Sequence, residues 1–275
     1  MIDILLSTYN GEKYISKQID SILNQTYTEW RLLVRDDASS DNTISILNKY
    51  QQQNSQKIII ISNNTNQNIG VIKSFEILLK FSNSKYIMFC DQDDIWLPNK
   101  IEESLNSILL LEQSNPNTPI LIHTDLSIID ENDTITHSSL WQYAGIKPNI
   151  LNNNPKYMAF CNSVTGCTIL MNKQCKDIVL PFPINIMMHD AWIAIKISQL
   201  GIIHNINKPL ILYRQHANNT LGINKYKFSI INRIKNIKKI YTNTINVYKL
   251  YPFIFQNKLD FWIHKIKYFF KHNSR

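Results

Sequence analysis

Glycine, cysteine and long apolar runs are scarce in this sequence. Its 275 residues include six glycines and four cysteines, and the cysteines form neither a Cys-x-x-Cys pair nor a spacing typical of a metal site. We therefore expect reduced, buried thiols. No run of about 18 apolar residues occurs, so a membrane-spanning helix is not expected.

The sequence also lacks the features of a secreted, disordered or fibrous chain. Residues 1–7 contain no basic stretch followed by a long apolar core, so no signal peptide is indicated and we expect a cytoplasmic protein. Hydrophobic residues make up 44% and aromatic residues 11%, which excludes disordered and collagen-like chains. The length allows one large domain, or one domain with an appendage.

Acidic residues are nearly absent from the last part of the chain. From Lys225 to Arg275 there are 12 lysines and arginines and one acid, Asp260, whereas the preceding residues are slightly acidic. The net charge of the whole chain is +8. Such a separation of charge indicates an anionic partner surface, either membrane phospholipid or nucleic acid.

The aromatic residues of this basic tail favour a membrane over nucleic acid. Apolar residues recur there at helical spacing, first between 228 and 241 and again near the end, and we place a boundary near Gly222. Trp262 and Phe269 stand among lysines, a mixture typical of helices at the inner face of an anionic membrane. No RNA-binding signature is present, so we disfavour nucleic acid. A solvated helix pair covering the domain and pairing of two chains are the alternatives.

The first part of the chain alternates short apolar runs with helical patterns. The runs are Ile2–Ser7, Arg31–Arg35, Lys57–Ser62 and Tyr86–Cys90, and apolar residues between them recur at helical spacing. This alternation predicts an α/β protein with a mainly parallel, doubly wound sheet.

Two further elements are expected later in the chain. Residues 163–171 have the pattern of a strand that contains Gly166, and a helix begins near His189 and ends at Gly201.

Three polar clusters follow predicted strands, at residues 7–10, 36–41 and 91–94. In an open parallel sheet, ligands bind beyond the carboxyl ends of the strands. Clustered acids repel one another unless a positive group lies between them, and a hard divalent cation that also binds substrate phosphates meets that need. Asp and Ser are ordinary turn and capping residues when taken singly, so only the set of clusters indicates a ligand site.

The matching segments are Ser7-Thr8-Tyr9-Asn10, Arg35 to Asp41, Asn68-Ile69-Gly70 and Asp91-Gln92-Asp93-Asp94. As a set, they resemble glycosyltransferase family 2. The resemblance covers roughly residues 1 to 220. It implies a GT-A fold, which is a Rossmann-like, mainly parallel central sheet with flanking helices. It also implies a nucleotide-sugar donor and a divalent metal, Mn²⁺ or Mg²⁺. We therefore expect a GT-A domain at 1–222 and a basic amphipathic helical segment at 223–275.

The resemblance assigns donor-binding roles to residues that follow the first two strands. Thr8 and Tyr9 would hold the nucleoside, Glu12 often joins them, and Asp37 would accept a hydrogen bond from the pyrimidine ring.

The same resemblance assigns the metal site. Asp91 and Asp93 match the DxD motif, with Asp93 as the direct metal ligand and Asp91 near the sugar or ribose, also within reach of the metal.

Two later segments carry the rest of the resemblance. Met188 to Trp192 resembles the acidic motif of the family, which makes Asp190 the catalytic base and leaves His189 as a structural residue. Residues 213–219 resemble the segment that closes over the diphosphate in rhamnosyltransferase-like members. Arg214 would add positive charge there, and His216 would be either a metal ligand or a hydrogen-bonding loop residue.

The implied function is inverting, metal-dependent transfer of a sugar from a UDP- or dTDP-linked donor. The acceptor would be a hydroxyl of a growing bacterial surface glycan, such as a polysaccharide, O-antigen or lipooligosaccharide, free or lipid-linked. A sugar-phosphate nucleotidyltransferase is an alternative, but residues 7–11 contain one glycine instead of a Gly-rich phosphate loop. A second alternative is a non-catalytic protein that binds sugar nucleotides, and the presence of Asp91, Asp93 and Asp190 argues against it.

Overall fold

The computed structural model describes residues 1–61, 67–216, 246–251 and 253–273. Within these ranges nine strands form one sheet, flanked by helices. The strands are β1 (Ile2–Thr8), β2 (Trp30–Asp36), β3 (Ile58–Ile60), β4 (Tyr86–Cys90), β5 (Ile95–Trp96), β6 (Ile120–Ile129), β7 (Ile135–His137), β8 (Leu170–Asn172) and β9 (Ile202–Arg214). The helices are α1 (Ile15–Leu23), α2 (Thr43–Gln53), α3 (Val71–Phe81), α4 (Lys100–Ser114), α5 (Leu140–Ala144), α6 (Pro148–Leu151), α7 (Pro155–Met158), α8 (Lys173–Val179), α9 (His189–Leu200) and α10 (Lys258–Asn273).

The sheet has a parallel half and a mixed half. The strand order is β3-β2-β1-β4-β8-β6-β9-β5, with β7 paired to β6. The first four strands are parallel to one another, and β8 then runs antiparallel to both β4 and β6. Because Thr8 is in register with Asp36, and Leu6 with Cys90, the polar clusters after β1, β2 and β4 meet at one edge of the sheet.

Side-chain alternation along the strands places a hydrophobic core on each face of the sheet. Ile4 and Leu6 pack in the core that also receives α1 and α4, whereas Leu5 packs in the core that receives α3 and α9. All three side chains are fully buried. Strands buried on both faces read as continuous apolar runs, which is why the sequence predicts them well.

The predicted alternation of strands and helices is confirmed in the first part of the chain, and β4 has the predicted bounds. The strand predicted over residues 163–171 is wrong in its first part, because Gly166–Thr168 forms a 3₁₀ helix and β8 begins only at Leu170. Contacts with α9 account for the turn. The Gly166 N–H donates to the Asp190 carboxylate at 3.2 Å, and the His189 ring lies against the Gly166 Cα.

Helix α10 packs against the body of the protein through one face. Phe261 and Tyr268 are buried there, and Phe261 meets Phe160 edge-on with ring centroids 5.3 Å apart. An ion pair between Lys156 and Asp260, 2.8 Å long, joins the helix to α7. The predicted boundary near Gly222 and the first amphipathic segment, 228–241, lie outside the described residues.

In the part of the chain that the structure describes, no helix combines the length and the apolar character needed to cross a bilayer.

Candidate active site

A cleft of about 710 Å³ opens at the carboxyl ends of β1, β2 and β4. The N-terminus of α9 and the end of β9 form its opposite side. Six of the residues predicted from the sequence line this cleft: Tyr9, Asp37, Asp91, Asp93, Asp190 and His216. The structure therefore brings together side chains that are far apart in the sequence; Tyr9 and His216, for example, are separated by 207 positions.

The loop after β1 presents Tyr9, whose side chain is 48% exposed. The Tyr9 N–H donates to Gln92 Oε1 at 2.8 Å, and Gln92 Nε2 donates to the Tyr9 carbonyl at 2.9 Å. A Cβ on Gly11 would collide with the side-chain oxygen of Gln92, so a larger residue at this position would push the Gln92 amide away from Tyr9. Sequence reasoning missed Gln92, because a lone amide between two acids carries no signal of a partner 83 positions away.

Two residues beside the cleft have left-handed backbone conformations without being glycine. Asn10 has a φ of 48° and Ala38 a φ of 65°. Such conformations persist when the surrounding structure fixes them. Here the Asn10 N–H donates to Ser39 Oγ and the Ser40 N–H donates to Asn10 Oδ1, both at 2.8 Å. These bonds lock the loops after β1 and β2 together.

Asp37 holds the loop after β2 against the start of α3. It is 3% exposed and accepts hydrogen bonds from Arg35 at 2.7 Å and from the backbone N–H groups of Ile69 and Gly70 at 2.9 and 2.7 Å. Gly70 has a φ of 84°, a conformation that favours glycine. A carboxylate has about four lone-pair positions, so three bonds leave one for a ligand N–H in the cleft.

Thr8 and Glu12 do not line the cleft. Thr8 is 1% exposed and donates its hydroxyl hydrogen to Asp36 at 2.8 Å. The Glu12 carboxylate accepts from the backbone and side-chain nitrogens of Asn42, at 2.9 and 2.8 Å, beside the start of α2. Their contacts shape the loops around the cleft, and their predicted contact with a nucleoside stays a prediction.

The acids after β4 crowd one another at the cleft. Burial, with the neighbouring carboxylates of Asp93 and Asp190, raises the pKa of Asp91 to about 7. Asp93 Oδ2 lies 2.8 Å from His216 Nε2. Asp93 and His216 together offer a divalent cation one carboxylate and one imidazole at the cleft surface, and its charge would relieve the repulsion with Asp91.

Asp94 lies beneath this surface set. It is fully buried and accepts a hydrogen bond from the Arg214 N–H at 3.2 Å. The possible ligand atoms of Asp94, Asp91 and Cys167 lie within 4.8 Å of one another. Burial raises the pKa of both Asp94 and Cys167 well above the usual values, which keeps Cys167 a thiol and disfavours it as a ligand.

The side chain of Arg214 is enclosed by protein groups, whereas the sequence motif predicts that it lies beside the diphosphate of the donor. It is fully buried and does not line the cleft. Its Nε donates to the Asp93 carbonyl at 2.8 Å, and its Nη1 donates to the Asp130 carbonyl at 3.1 Å and to the Asp133 carboxylate. Its guanidinium also lies 4.5 Å from the centre of the Tyr14 ring. Arg214 therefore braces the acidic loop against the turn between β6 and β7.

Asp190 stands in the first turn of α9 and faces the cleft. One carboxylate oxygen accepts from the Ala191 N–H at 2.6 Å and the other from the Gly166 N–H at 3.2 Å. Burial raises the pKa of Asp190 to about 6, and these two hydrogen bonds oppose the rise. A carboxylate with that pKa is ionised at pH 7 and close to the range that suits a general base.

A parallel half-sheet that ends at an acid-lined cleft is the architecture of the GT-A glycosyltransferases, and solved structures agree. S. aureus TarS 1–349 in complex with UDP-GlcNAc matches with a TM-score of 0.58 and 16% identity, over 89% of this chain and 66% of that chain. The mannosyltransferase PcManGT from Pyrobaculum calidifontis, in complex with GDP-Man and Mn²⁺, matches with a TM-score of 0.56 and 15% identity, over 91% and 69%. The chain thus spans slightly less than two thirds of the TarS structure. At these identities the likeness shows the fold.

Sequence similarity gives the family. The model of Glycosyl transferase family 2 matches residues 3–163, more than half of the chain. The chain therefore belongs to glycosyl transferase family 2 and is a glycosyltransferase, as its motifs predict.

Two curated relatives are named as glycosyltransferases. The chain is 27% identical over 245 residues to dTDP-rhamnosyl transferase RfbG of Shigella flexneri, covering 84% of this chain and 79% of that protein. It is 28% identical over 228 residues to UDP-Glc:alpha-D-GlcNAc-diphosphoundecaprenol beta-1,3-glucosyltransferase WfaP of Escherichia coli, covering 82% of each. Neither the family match nor these relatives assign a role to any residue, so the roles of Tyr9, Asp37, Asp93, Asp190 and His216 stay predictions.

Proposed function

We propose that the protein transfers a sugar, with inversion, from a UDP- or dTDP-linked donor to a hydroxyl of a bacterial surface glycan. The observation that carries this proposal is that Asp37, Asp93 and Asp190 line one cleft. Relatives named for dTDP-rhamnose and UDP-glucose donors support the choice of nucleotide. The diphosphoundecaprenol acceptor in the name of the E. coli relative supports a lipid-linked acceptor.

The nucleotide would lie between the loop after β1 and the start of α3. The exposed ring of Tyr9 offers a flat apolar surface beside the base, and Asp37 has one lone-pair position open to a ring N–H. The backbone bonds from Gln92 to Tyr9 would hold the base-binding loop in place before the donor arrives.

Asp93 and His216 would hold a divalent cation, with Asp91 beside them. Two observations support this assignment. The contact of 2.8 Å places a carboxylate and an imidazole, both common metal ligands, side by side, and the raised pKa of Asp91 shows that negative charge gathers beside them. When bound, the cation would stabilise the negative charge of the departing diphosphate as a Lewis acid.

Asp190 would act as the general base. As the acceptor oxygen bonds to the anomeric carbon, the bond from that carbon to the diphosphate oxygen breaks, and the hydroxyl proton passes to the Asp190 carboxylate. A single displacement of this kind inverts the anomeric configuration. General-base help is typically worth about 10² to 10⁴ in rate.

The test is a donor screen that measures release of nucleoside diphosphate from UDP-, dTDP- and GDP-sugars, with Mn²⁺, Mg²⁺ or EDTA. We expect release from a UDP- or dTDP-sugar that needs the metal, and thermal stabilisation by UDP or dTDP that disappears in Asp93→Asn. Stabilisation only by a nucleoside triphosphate with a sugar phosphate would instead identify a nucleotidyltransferase. Full release in EDTA would contradict the metal assignment.

We also propose that α10 lies on an anionic membrane surface. Four apolar side chains of this helix, between 40% and 70% exposed, follow one another at helical spacing: Leu259, Ile263, Ile266 and Phe270. At about 100° per residue, the exposed Lys258 and Lys267 fall on either side of this stripe. An apolar stripe bordered by lysines matches the interface of an anionic bilayer, where each lysine contributes about 1 kcal/mol.

Vesicle sedimentation tests this surface. We expect the full chain to sediment with vesicles of phosphatidylcholine and phosphatidylglycerol but not with phosphatidylcholine alone, and Ile266→Glu to abolish sedimentation. Lys173→Glu, an exposed change on α8, is the matched control. The membrane proposal is wrong if the protein sediments with neither kind of vesicle and analytical ultracentrifugation shows a dimer that Ile266→Glu dissociates. The stripe would then bind a second copy of the chain.

A further inference from the structure

The ring of His189 lies at the base of the cleft with both nitrogens lacking a partner. It is 4% exposed and lines the cleft beside Asp190. Among the residues that the structure describes, no group hydrogen-bonds either Nδ1 or Nε2. Buried polar groups in native proteins nearly always have a hydrogen-bond partner. A buried imidazole without such a partner, in a residue that lines a ligand cleft, is therefore a candidate for contact with the ligand.

The surroundings of His189 fix the orientation of the ring. It packs on Phe75 and Phe89, with ring centroids 4.3 and 5.4 Å away. A Cβ on Gly166 would lie 2.9 Å from His189 Nε2, so glycine at that position makes room for the ring. A side chain held this firmly loses little further freedom when a ligand binds, which favours selective recognition.

The imidazole is neutral in this environment, since burial lowers the pKa of His189 to about 3. A neutral imidazole offers one N–H donor and one nitrogen acceptor. A sugar hydroxyl is likewise both donor and acceptor, so the two groups match in either direction.

The packing of the ring places it on the donor side of the cleft. Phe75 belongs to α3, whose first residues lie beside Asp37, and Phe89 belongs to β4, which leads directly to Asp91. Both elements carry residues that the proposed function assigns to the nucleotide sugar. Asp190, the next residue along the chain, would meet the acceptor hydroxyl.

We propose that His189 hydrogen-bonds a hydroxyl group of the donor sugar and so determines which sugars the enzyme accepts. This inference rests on the proposed function. A site built to bind a hydroxyl rejects an analogue that lacks it, because the buried polar group of the protein is then left without a partner. His189 is thus a specificity residue rather than the structural residue that the sequence indicates.

The test compares His189→Phe with the wild-type protein in the presence of Mn²⁺. Phenylalanine keeps an aromatic ring against Phe75 and Phe89 and removes both nitrogens. We expect binding of UDP and dTDP, measured by calorimetry, to stay within about twofold. We expect KM for the UDP- or dTDP-sugar used in the donor screen to rise by about tenfold or more, and the preference for it over its monodeoxy analogues to shrink by a similar factor. His189→Gln, which keeps a donor and an acceptor, should recover part of that preference.

The matched control is His123→Phe. His123 is also fully buried, with a pKa lowered by burial to about 4, and packs edge-on against Trp141, but it bonds Asn152 and does not line the cleft. We expect its sugar preference to match the wild type. We expect His189→Leu to raise KM and to reduce the sugar preference as His189→Phe does. This second variant replaces the first if the phenylalanine does not fit and the protein fails to fold.

Two failures are distinguishable. If the wild-type protein neither binds nor turns over any nucleotide sugar, the proposed function fails and this inference with it. If the wild type transfers sugar and the His189 variants keep its KM and its preference among deoxy analogues, only the assignment of His189 is wrong.

Discussion

The side-chain amide of Gln92 hydrogen-bonds both backbone groups of Tyr9, accepting from its N–H at 2.8 Å and donating to its carbonyl at 2.9 Å. The acidic loop after β4 and the loop after β1 are therefore joined through one side chain. Asp91 and Asp93 flank this amide, so the position of the predicted metal ligands is linked to that of the predicted base-binding residue.

Gln92→Glu should raise the KM for the nucleotide sugar by about tenfold while lowering stability only slightly, since one neutral hydrogen bond contributes about 0.5–1.5 kcal/mol. A carboxylate still accepts from the Tyr9 N–H but cannot donate to the Tyr9 carbonyl. Steady-state kinetics and thermal melting measure the two effects. Gln113→Glu on α4 serves as control, and an unchanged KM in Gln92→Glu would show that the bridge does not position the loop.

Asp190→Asn should lower kcat by about 10² to 10⁴ and leave metal-dependent binding of UDP or dTDP intact. The amide keeps the shape of the side chain, including one oxygen that can accept from a backbone N–H, but it cannot take a proton. Single-turnover transfer and calorimetry separate the two effects. Asp177→Asn, at an exposed position on α8, controls for the substitution. Transfer at the wild-type rate would remove Asp190 from the mechanism.

The rate should depend on pH through Asp190. The base must be ionised to act, and burial has raised its pKa to about 6, so the active fraction falls as the pH drops through 6. We expect kcat to level off above pH 7 and to fall about tenfold for each pH unit well below 6. The acidic limb should vanish from the residual activity of Asp190→Asn. If the fall in rate at low pH persists in Asp190→Asn, a different titrating side chain causes it.

Arg214→Lys distinguishes a brace from a diphosphate contact. Lysine lacks the planar fork that reaches the Asp93 and Asp130 carbonyls together, so we expect a loss of about 1–3 kcal/mol of stability and weaker Mn²⁺ binding. Thermal melting and a Mn²⁺ titration measure these losses. Unchanged stability with a higher KM for the donor would instead support the contact that the sequence motif implies.

Much of the fold could be predicted because its strands are buried on both faces. β1, β2 and β4 each contain a short apolar run, Ile4–Leu6, 32–34 and Tyr86–Cys90, and the polar clusters that follow them lie at one edge once the strands are parallel. The segment around Gly166 also has a strand-like pattern, yet it turns where Asp190 and His189, from a distant helix, contact its backbone. Local pattern contains no record of such contacts.

The site residues divide in the same way. The sequence motifs predict that the carboxylates of Asp37, Asp93 and Asp190 converge on one crevice, and all three line one cleft. Arg214 was expected to face the ligand, but its partners Asp93 and Asp133 are 121 and 81 positions away, and such pairings decide where a long side chain points. Sequence motifs thus predicted which residues gather at the cleft better than which of them remain open to a ligand.

The order of the elements along the chain divides the predicted site in two. The region before α4 carries the loops that would grip the nucleotide, whereas the region after it carries His189 and Asp190, which would meet the sugar and the acceptor. Recombination between relatives within α4 would exchange the nucleotide-binding loops as a block and leave the sugar selectivity of His189 in place. A lineage could in that way change the nucleotide carrier of a sugar without rebuilding the half that selects the sugar and its recipient.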